Sequence, residues 1–331
     1  MIPRLGMSSI KRNFSSRVIP KLMTPRQLLK AIEKPDHQFK VVDASWHMPN
    51  ANRSPLAEFE KGRRLPNAVF FDHDKIADLT YAGGLPHMRP NLDTFRVAMN
   101  DLGISASDTV VFYDSLGIFS APRAAWLLHS FHHPSIAVLD GGLPRWIAEG
   151  LPTDSGPPSS VKKLDYQLIG SHEECEGKRS VTSYDDIITN ITDQRMEILD
   201  ARPRPRFEGT APEPRASLSS GHIPGSISLP FSELLATHNE GYRTFLSPEK
   251  LEEVFTSTFG SAERWEAVKQ GEKELVTSCG SGMTACIIWL AIQICSGGDQ
   301  AKVKVYDESW TGYASRPGSP IAMNLKGEQD K

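Results

Sequence analysis

Cysteine is scarce: Cys175, Cys279, Cys286 and Cys295 are the only four in 331 residues. That is too few for a disulfide framework in a chain of this size. No pair is spaced Cys-x-x-Cys, so a structural zinc site is not expected. Long apolar runs are also missing. The longest, Ala285 to Cys295, is broken by Gln293, falls short of the about 20 residues that span a bilayer, and reads as a buried core helix. Positive charge is short where a nucleic-acid surface would need it. The chain has 37 basic and 40 acidic residues, a net charge of −3. Seven of the basic groups (Arg4, Lys11, Arg12, Arg17, Lys21, Arg26, Lys30) fall in residues 1–32, which hold no acid, so the remainder has 30 against 40, or −10. An acidic body excludes the clustered cations that displace counterions from phosphates. Neither direct nucleic-acid binding nor a membrane partner is expected.

What is present at the N-terminus reads as an address. Residues 1–20 carry four basic groups among Ser8, Ser9, Ser15 and Ser16, without a continuous apolar core. That pattern fits a mitochondrial presequence rather than a secretory signal, with a disordered basic tail as the plain alternative. The expected location is mitochondrial, with a cytoplasmic pool left open. Regular structure is expected from Thr24, an N-cap with Pro25 at the first helical position and a helix to about Glu33.

The chain repeats itself, which fits its length as two domains. The Thr24 helix leads to Val41-Val42-Asp43-Ala44, and a helical stretch from Tyr184 to Ile191 leads to Ile198-Leu199-Asp200-Ala201. Leu65-Pro66-Asn67-Ala68-Val69 matches Ile223-Pro224-Gly225-Ser226-Ile227. Buried strands Thr109 to Asp114 and Glu274 to Cys279 each open into a Gly-containing turn and an apolar helix, Pro122 to Phe131 and Thr284 to Cys295. Strands Ile136 to Asp140 and Val303 to Asp307 follow, then Trp146 and Trp310. Apolar strands alternating with helices predict α/β domains, each a mostly parallel sheet flanked by helices. The boundaries read as a presequence at 1–20, domains at 22–153 and 179–320, and a Pro-, Gly- and Ser-marked linker at 154–178.

Ligands of open α/β sheets sit beyond the C-terminal strand ends. There the second copy reads Cys279-Gly280-Ser281-Gly282-Met283-Thr284-Ala285. Backbone N–H groups and a helix N-terminus around a thiol favour its thiolate, the nucleophilic form. Gly280 and Gly282 permit tight curvature and close backbone approach. The first copy has Asp114 at the matching strand end and no nucleophile. Cys286 and Cys295, on the apolar helix, read as small core residues. Cys175 sits among Glu173, Glu174 and Glu176, whose charge disfavours a thiolate.

On Asp43-Ala44-Ser45-Trp46, Ser120-Ala121-Pro122-Arg123, Leu139-Asp140-Gly141-Gly142, Gly221-His222-Ile223-Pro224-Gly225 and the Cys279 loop, residues 24–320 resemble the tandem rhodanese-domain sulfurtransferases. Within that family the Cys-Gly-Ser-Gly loop is similar to that of 3-mercaptopyruvate sulfurtransferases, where thiosulfate-preferring members carry Cys-Arg-Lys-Gly. Met283 departs from the usual Val. The resemblance implies two rhodanese-like domains, the second catalytic, with no cofactor and no metal. It implies sulfur transfer from 3-mercaptopyruvate through a Cys279 persulfide to a thiol or cyanide, releasing pyruvate. It places Arg206 and Arg215 at the donor's anionic end, with Gly280, Gly282, Met283 and Thr284 as further substrate-binding residues of the loop. It also implies an Asp74-His87-Ser281 relay across the domain interface, with His73 as a competitor. A small anionic sulfur donor and a thiol acceptor such as thioredoxin or a sulfur-carrier protein are the implied partners.

Three other readings compete with this one. A phosphatase would need His before the Cys and Arg six positions after it, where this chain has Ser278 and Ala285. Thiosulfate as main donor is disfavoured by a loop without cations. A sulfur-relay protein serving tRNA thiolation would keep the persulfide and release it only to a partner.

Overall fold

The computed structural model describes residues 21–324 apart from 37, 82, 169–179, 216 and 298–300. The expected presequence at 1–20 and Cys175 with its acidic neighbours lie outside the described residues. Each half of the chain builds a five-stranded parallel sheet in the same spatial order. In the first, β1 (Leu22–Met23), β2 (Phe39–Asp43), β3 (Val69–Phe70), β4 (Thr109–Tyr113) and β5 (Ile136–Leu139) lie as β1-β5-β4-β2-β3. In the second, β6 (Val181–Thr182), β7 (Met196–Asp200), β8 (Ile227–Ser228), β11 (Glu274–Ser278) and β12 (Val303–Tyr306) lie as β6-β12-β11-β7-β8. The central strand β4 is buried at every position, as expected for a parallel strand covered on both faces.

Local signals set the helix starts. Thr24 and Gln27 form a capping box around Pro25, and the helix runs Pro25–Ile32. Ser183 and Asp186 do the same for the helix Tyr184–Asp193. Three features depart from the sequence expectation. The first is that regular structure begins before Thr24, at β1, whose Leu22 and Met23 pair with Val138 and Leu139. The second is an antiparallel hairpin, β9 (Leu235–Thr237) with β10 (Arg243–Phe245), which leaves the second domain and docks on the first, Phe245 N donating to Asp140 Oδ1 at 2.9 Å. The third concerns the linker, whose part at 154–168 follows the first domain closely. Arg64 N donates to Asp154 O, Arg64 Nη1 to Gly156 O, and buried Tyr166 sits edge-on to Phe95.

One hydrophobic cluster is shared by the two domains, and each domain has a second of its own on the far side of its sheet. Helix Ala121–Ser130 of the first packs on helix Ala285–Cys295 of the second, with Trp126, Leu127 and Phe131 in the same cluster as Ile287, Ile288 and Trp289. This explains why Ala285 to Gln293 are buried on every side: one face meets the sheet and the other meets the neighbouring domain. The N-terminal ends of both helices face the same space, where Phe119 and Thr284 line one cavity and Arg123 donates to Gly282 O.

Candidate active site

Cys279 follows β11 where that strand lies in register with β7, Ser278 opposite Asp200. This is the point at which the strand order turns back, the usual place for a ligand in an open sheet. Cys279 N donates to Ser309 Oγ at 3.1 Å and Gly282 N to the same oxygen at 3.0 Å, while Ser309 Oγ donates to Tyr306 O at 2.8 Å. Two loop amides are therefore committed to a neighbouring hydroxyl rather than to the sulfur. The N–H groups of Gly280, Ser281, Met283 and Thr284 have no acceptor among the described residues. The loop ends in helix Ala285–Cys295, which adds the positive end of its dipole.

The first copy shows what such a loop does with an anion. Asp114 Oδ2 accepts from the N–H of Phe119, Ser120 and Ala121 at 2.9–3.0 Å, and Oδ1 accepts from Leu116 N at 3.0 Å. The amide cradle exists there, filled by the protein's own carboxylate. In the second copy a thiol stands at the strand end instead.

The glycines play unequal parts. Gly282 has φ +77°, and a Cβ there would meet Arg123 Nη1 at 2.9 Å. Gly280 is outside the left-handed region, and a Cβ would touch only Arg206 Nη2 at 3.5 Å. The expectation that both glycines serve the tight turn is corrected for Gly280.

Cys279 is 2% exposed, yet it lines a cavity of about 210 Å³ together with Gly280, Ser281, Met283, Thr284, Arg206 and Arg215. Arg202 shares that wall. It is 1% exposed and ties Asp200, Glu213 and Gly221 O together. Arg206 is bound through Nε and Nη2 to the same buried Glu213. Arg215 reaches Thr311 Oγ1 at 3.1 Å, and Thr311 Oγ1 donates to Gly280 O at 2.6 Å. Burial lowers the pKa of Arg215, the repulsion of Arg206 adds to this, and the attraction of Cys279 opposes it. The opposite wall comes from Trp46, Met48 and Phe119 of the first domain, with Phe231.

Asp74 and His87 meet as a pair, His87 Nε2 lying 3.0 Å from Asp74 Oδ1. The bond to His87 holds the Asp74 carboxyl below its ordinary range, ahead of the opposing effect of burial. Neither residue lines the cavity. Trp46 stands at that wall, its Nε1 donating to Asp74 Oδ1 at 3.2 Å and its ring edge-on to His87 at 4.7 Å. No hydrogen bond joins His87 to Ser281 among the described residues, and buried His87 Nδ1 has no partner among them either. The competitor His73 is a core residue. Its Nε2 donates to Ala44 O at 3.0 Å, and burial presses its pKa down to about 3.

Sequence reasoning missed the roles of Trp46, Arg202, Glu213 and Ser309. Trp46 sat in a quoted motif, and Glu213 sat between the two arginines. Nothing local marked Ser309, which lies 30 positions from the cysteine it contacts. Cys286 and Cys295 sit in or against the core, and burial pushes both thiols up, Cys295 to about 12.

Comparison with known proteins identifies the family. The rhodanese-like domain matches residues 24–149 and 183–316. The chain is 37% identical over 304 residues to the 3-mercaptopyruvate sulfurtransferase of Mus musculus, covering 89% of this chain and 92% of that protein. It is 36% identical to thiosulfate/3-mercaptopyruvate sulfurtransferase 1, mitochondrial, of Arabidopsis thaliana, covering 88% of this chain and 75% of that one. The crystal structure of Tum1 protein from Saccharomyces cerevisiae superposes with a TM-score of 0.78 at 29% identity, over 92% of this chain and 98% of that one.

Proposed function

The chain belongs to the rhodanese-like family, with two such domains, and from that premise we propose that it moves sulfur from 3-mercaptopyruvate through a Cys279 persulfide to a thiol or cyanide acceptor. The observation that carries this is a cysteine at the switch point of the second sheet, lining a cavity beside Arg206 and Arg215, while the first sheet holds a carboxylate in the same place. The charge of the cavity supports a keto-acid donor over thiosulfate. Arg202, Arg206 and Arg215 face Asp200 and Glu213, three cations against two anions, and the Cys279 thiolate takes up the one positive charge left. A donor with a single carboxylate then costs less to admit than a dianion.

The step balances as follows. The Cys279 thiolate attacks the donor sulfur and forms an S–S bond. The C–S bond breaks, and its electron pair stays on carbon as the enolate of pyruvate. The proton from the donor's own S–H must then reach that carbon. Ser281, at the cavity wall, passes it, and His87, with Nε2 held by Asp74 and Nδ1 open, serves as its base once it closes the gap to Ser281 that no hydrogen bond spans among the described residues. A second thiolate attacks the outer sulfur, the S–S bond breaks, and the Cys279 thiolate returns. The acceptor is a small thiol or a thiol protein such as thioredoxin or a sulfur carrier. The basic, acid-free residues 1–20 support import into mitochondria, as does the mitochondrial relative. The test is pyruvate release from mercaptopyruvate against sulfite release from thiosulfate with one thiol acceptor. Thiosulfate turning over faster would replace the donor assignment.

A further inference from the structure

The six residues after β12, Asp307 to Gly312, touch two loops at once. One loop is that of Asp74 and His87. Glu308 Oε1 accepts from Tyr81 OH at 2.7 Å, and Leu85 lies where a side chain at Gly312 would go. Asp307 Oδ2 accepts from Arg89 N at 2.5 Å. Asp78 N donates to Met88 O at 2.9 Å, so the Tyr81 turn and the His87 end of that loop are tied together. The other loop is that of the nucleophile. Ser309 Oγ takes the N–H of Cys279 and Gly282, Trp310 N donates to Cys279 O, and Thr311 N donates to Gly280 O.

The internal repeat shows which of these residues belong to the chemistry. β5 is followed by Asp140-Gly141-Gly142 and β12 by Asp307-Glu308-Ser309, and a helix starts at the third residue of each. The backbone is alike, φ +52° at Gly142 and +50° at Ser309. A left-handed conformation suits glycine and strains serine. The copy with the nucleophile keeps the strained residue, and the hydroxyl it provides binds the nucleophile loop. Glu308 is likewise present only in that copy. Its buried carboxylate is held by Arg316 and receives the Tyr81 hydroxyl from across the domain boundary.

We infer that Glu308 and Ser309 are adjacent positioning residues that set the relay loop of the first domain and the nucleophile loop of the second against each other. The inference rests on the proposed reaction and predicts a different kinetic signature for each residue. Tyr81→Phe and Glu308→Ala release the relay loop by removing the same Tyr81–Glu308 hydrogen bond, the second also freeing Arg316. They lower kcat for pyruvate release from mercaptopyruvate about three- to tenfold, the worth of one hydrogen bond, with KM unchanged. Single-turnover persulfide loading from thiosulfate, which needs no carbon protonation, stays the same. The two effects do not multiply in the double variant, because both remove one contact. Ser309→Gly restores the residue type of the first copy, suits the local φ and removes the hydroxyl together with its Cβ. It slows persulfide loading from both donors by about tenfold.

Equal losses with both donors for Tyr81→Phe, multiplying effects in the double variant, or a Ser309→Gly enzyme that loads persulfide at the wild-type rate would overturn the inference. A wild-type chain that loads persulfide from thiosulfate but releases no pyruvate would instead refute the donor assignment. Ser309→Gly loading from thiosulfate would still decide the nucleophile-loop half.

Discussion

Replacing Arg215 with Met tests how the cavity holds its donor. The two arginines near Cys279 are not equivalent. Arg206 already directs two nitrogens at Glu213, whereas the guanidinium of Arg215 has a neutral hydroxyl, Thr311 Oγ1, as its hydrogen-bond partner. The donor carboxylate therefore finds its least compensated cation at Arg215. A hydrogen bond to a charged group contributes about 1.5–3 kcal/mol, so Arg215→Met should raise the KM for mercaptopyruvate by about 10- to 150-fold. Folding stability should hold, because burial disfavours the Arg215 cation and no protein carboxylate hydrogen-bonds to it among the described residues. Arg206→Met should behave differently. Glu213, 3% exposed at its side chain, keeps Arg202 but loses its second cation, so stability falls while KM rises less. The assay is initial-rate pyruvate release over a range of donor concentrations, paired with thermal melts of both variants. A larger KM change for Arg206→Met than for Arg215→Met, with unaltered melting, would refute the idea that Glu213 neutralises Arg206.

Cys279→Ser should abolish the persulfide adduct, a gain of about 32 Da on the intact chain after exposure to donor; the same gain in the variant would assign the nucleophile elsewhere. Ser281→Ala should slow pyruvate release far more than sulfite release from thiosulfate, because only the carbon fragment needs a proton. Equal slowing would remove Ser281 from proton transfer. Asp43 gives a pH prediction. Burial first, then the Asp114 charge, pushes its carboxyl up from 3.8 to about 6, against hydrogen bonds from Ser45 and Tyr113. The folded state thus favours the neutral acid. The cost is absent below about pH 4, grows between pH 4 and 6, and is complete above. Asp43→Asn should therefore stabilise the fold by about 3 kcal/mol more at pH 7.5 than at pH 4. Urea unfolding at the two pH values measures it, and an equal effect at both would show that the carboxyl titrates normally.

Much of the fold was legible because its causes are local. Thr24-Pro25 and Ser183 announce helix starts through their own capping hydrogen bonds. The strands Thr109–Tyr113 and Glu274–Ser278 carry Val110-Val111-Phe112 and Leu275-Val276 at their centres and are buried because both faces are covered. The short edge strands β1 and β6, two residues each, carry no periodicity to read. The hairpin β9–β10 and the strap at 154–168 owe their order to contacts with the first domain rather than to their composition.

At the site the division follows the same physics. Cys279 and Gly282 were readable from residue type and spacing at a strand end, since those are properties of one stretch of chain, whereas Arg206 and Arg215 came only from the family resemblance. That two loop amides serve Ser309, that Glu213 neutralises Arg206, that Trp46 stands at the cavity wall beside Asp74 and His87, and that His87 Nδ1 is left open depend on groups 7 to 41 positions apart in sequence. The folding of each domain brings these groups together, and the packing of the two domains then sets the Trp46 wall against the Cys279 loop. The sequence alone determined two parallel α/β units and one thiol at a strand end. The tertiary structure decided which charges around that thiol are already compensated, because compensation is a matter of distance in space and not along the chain.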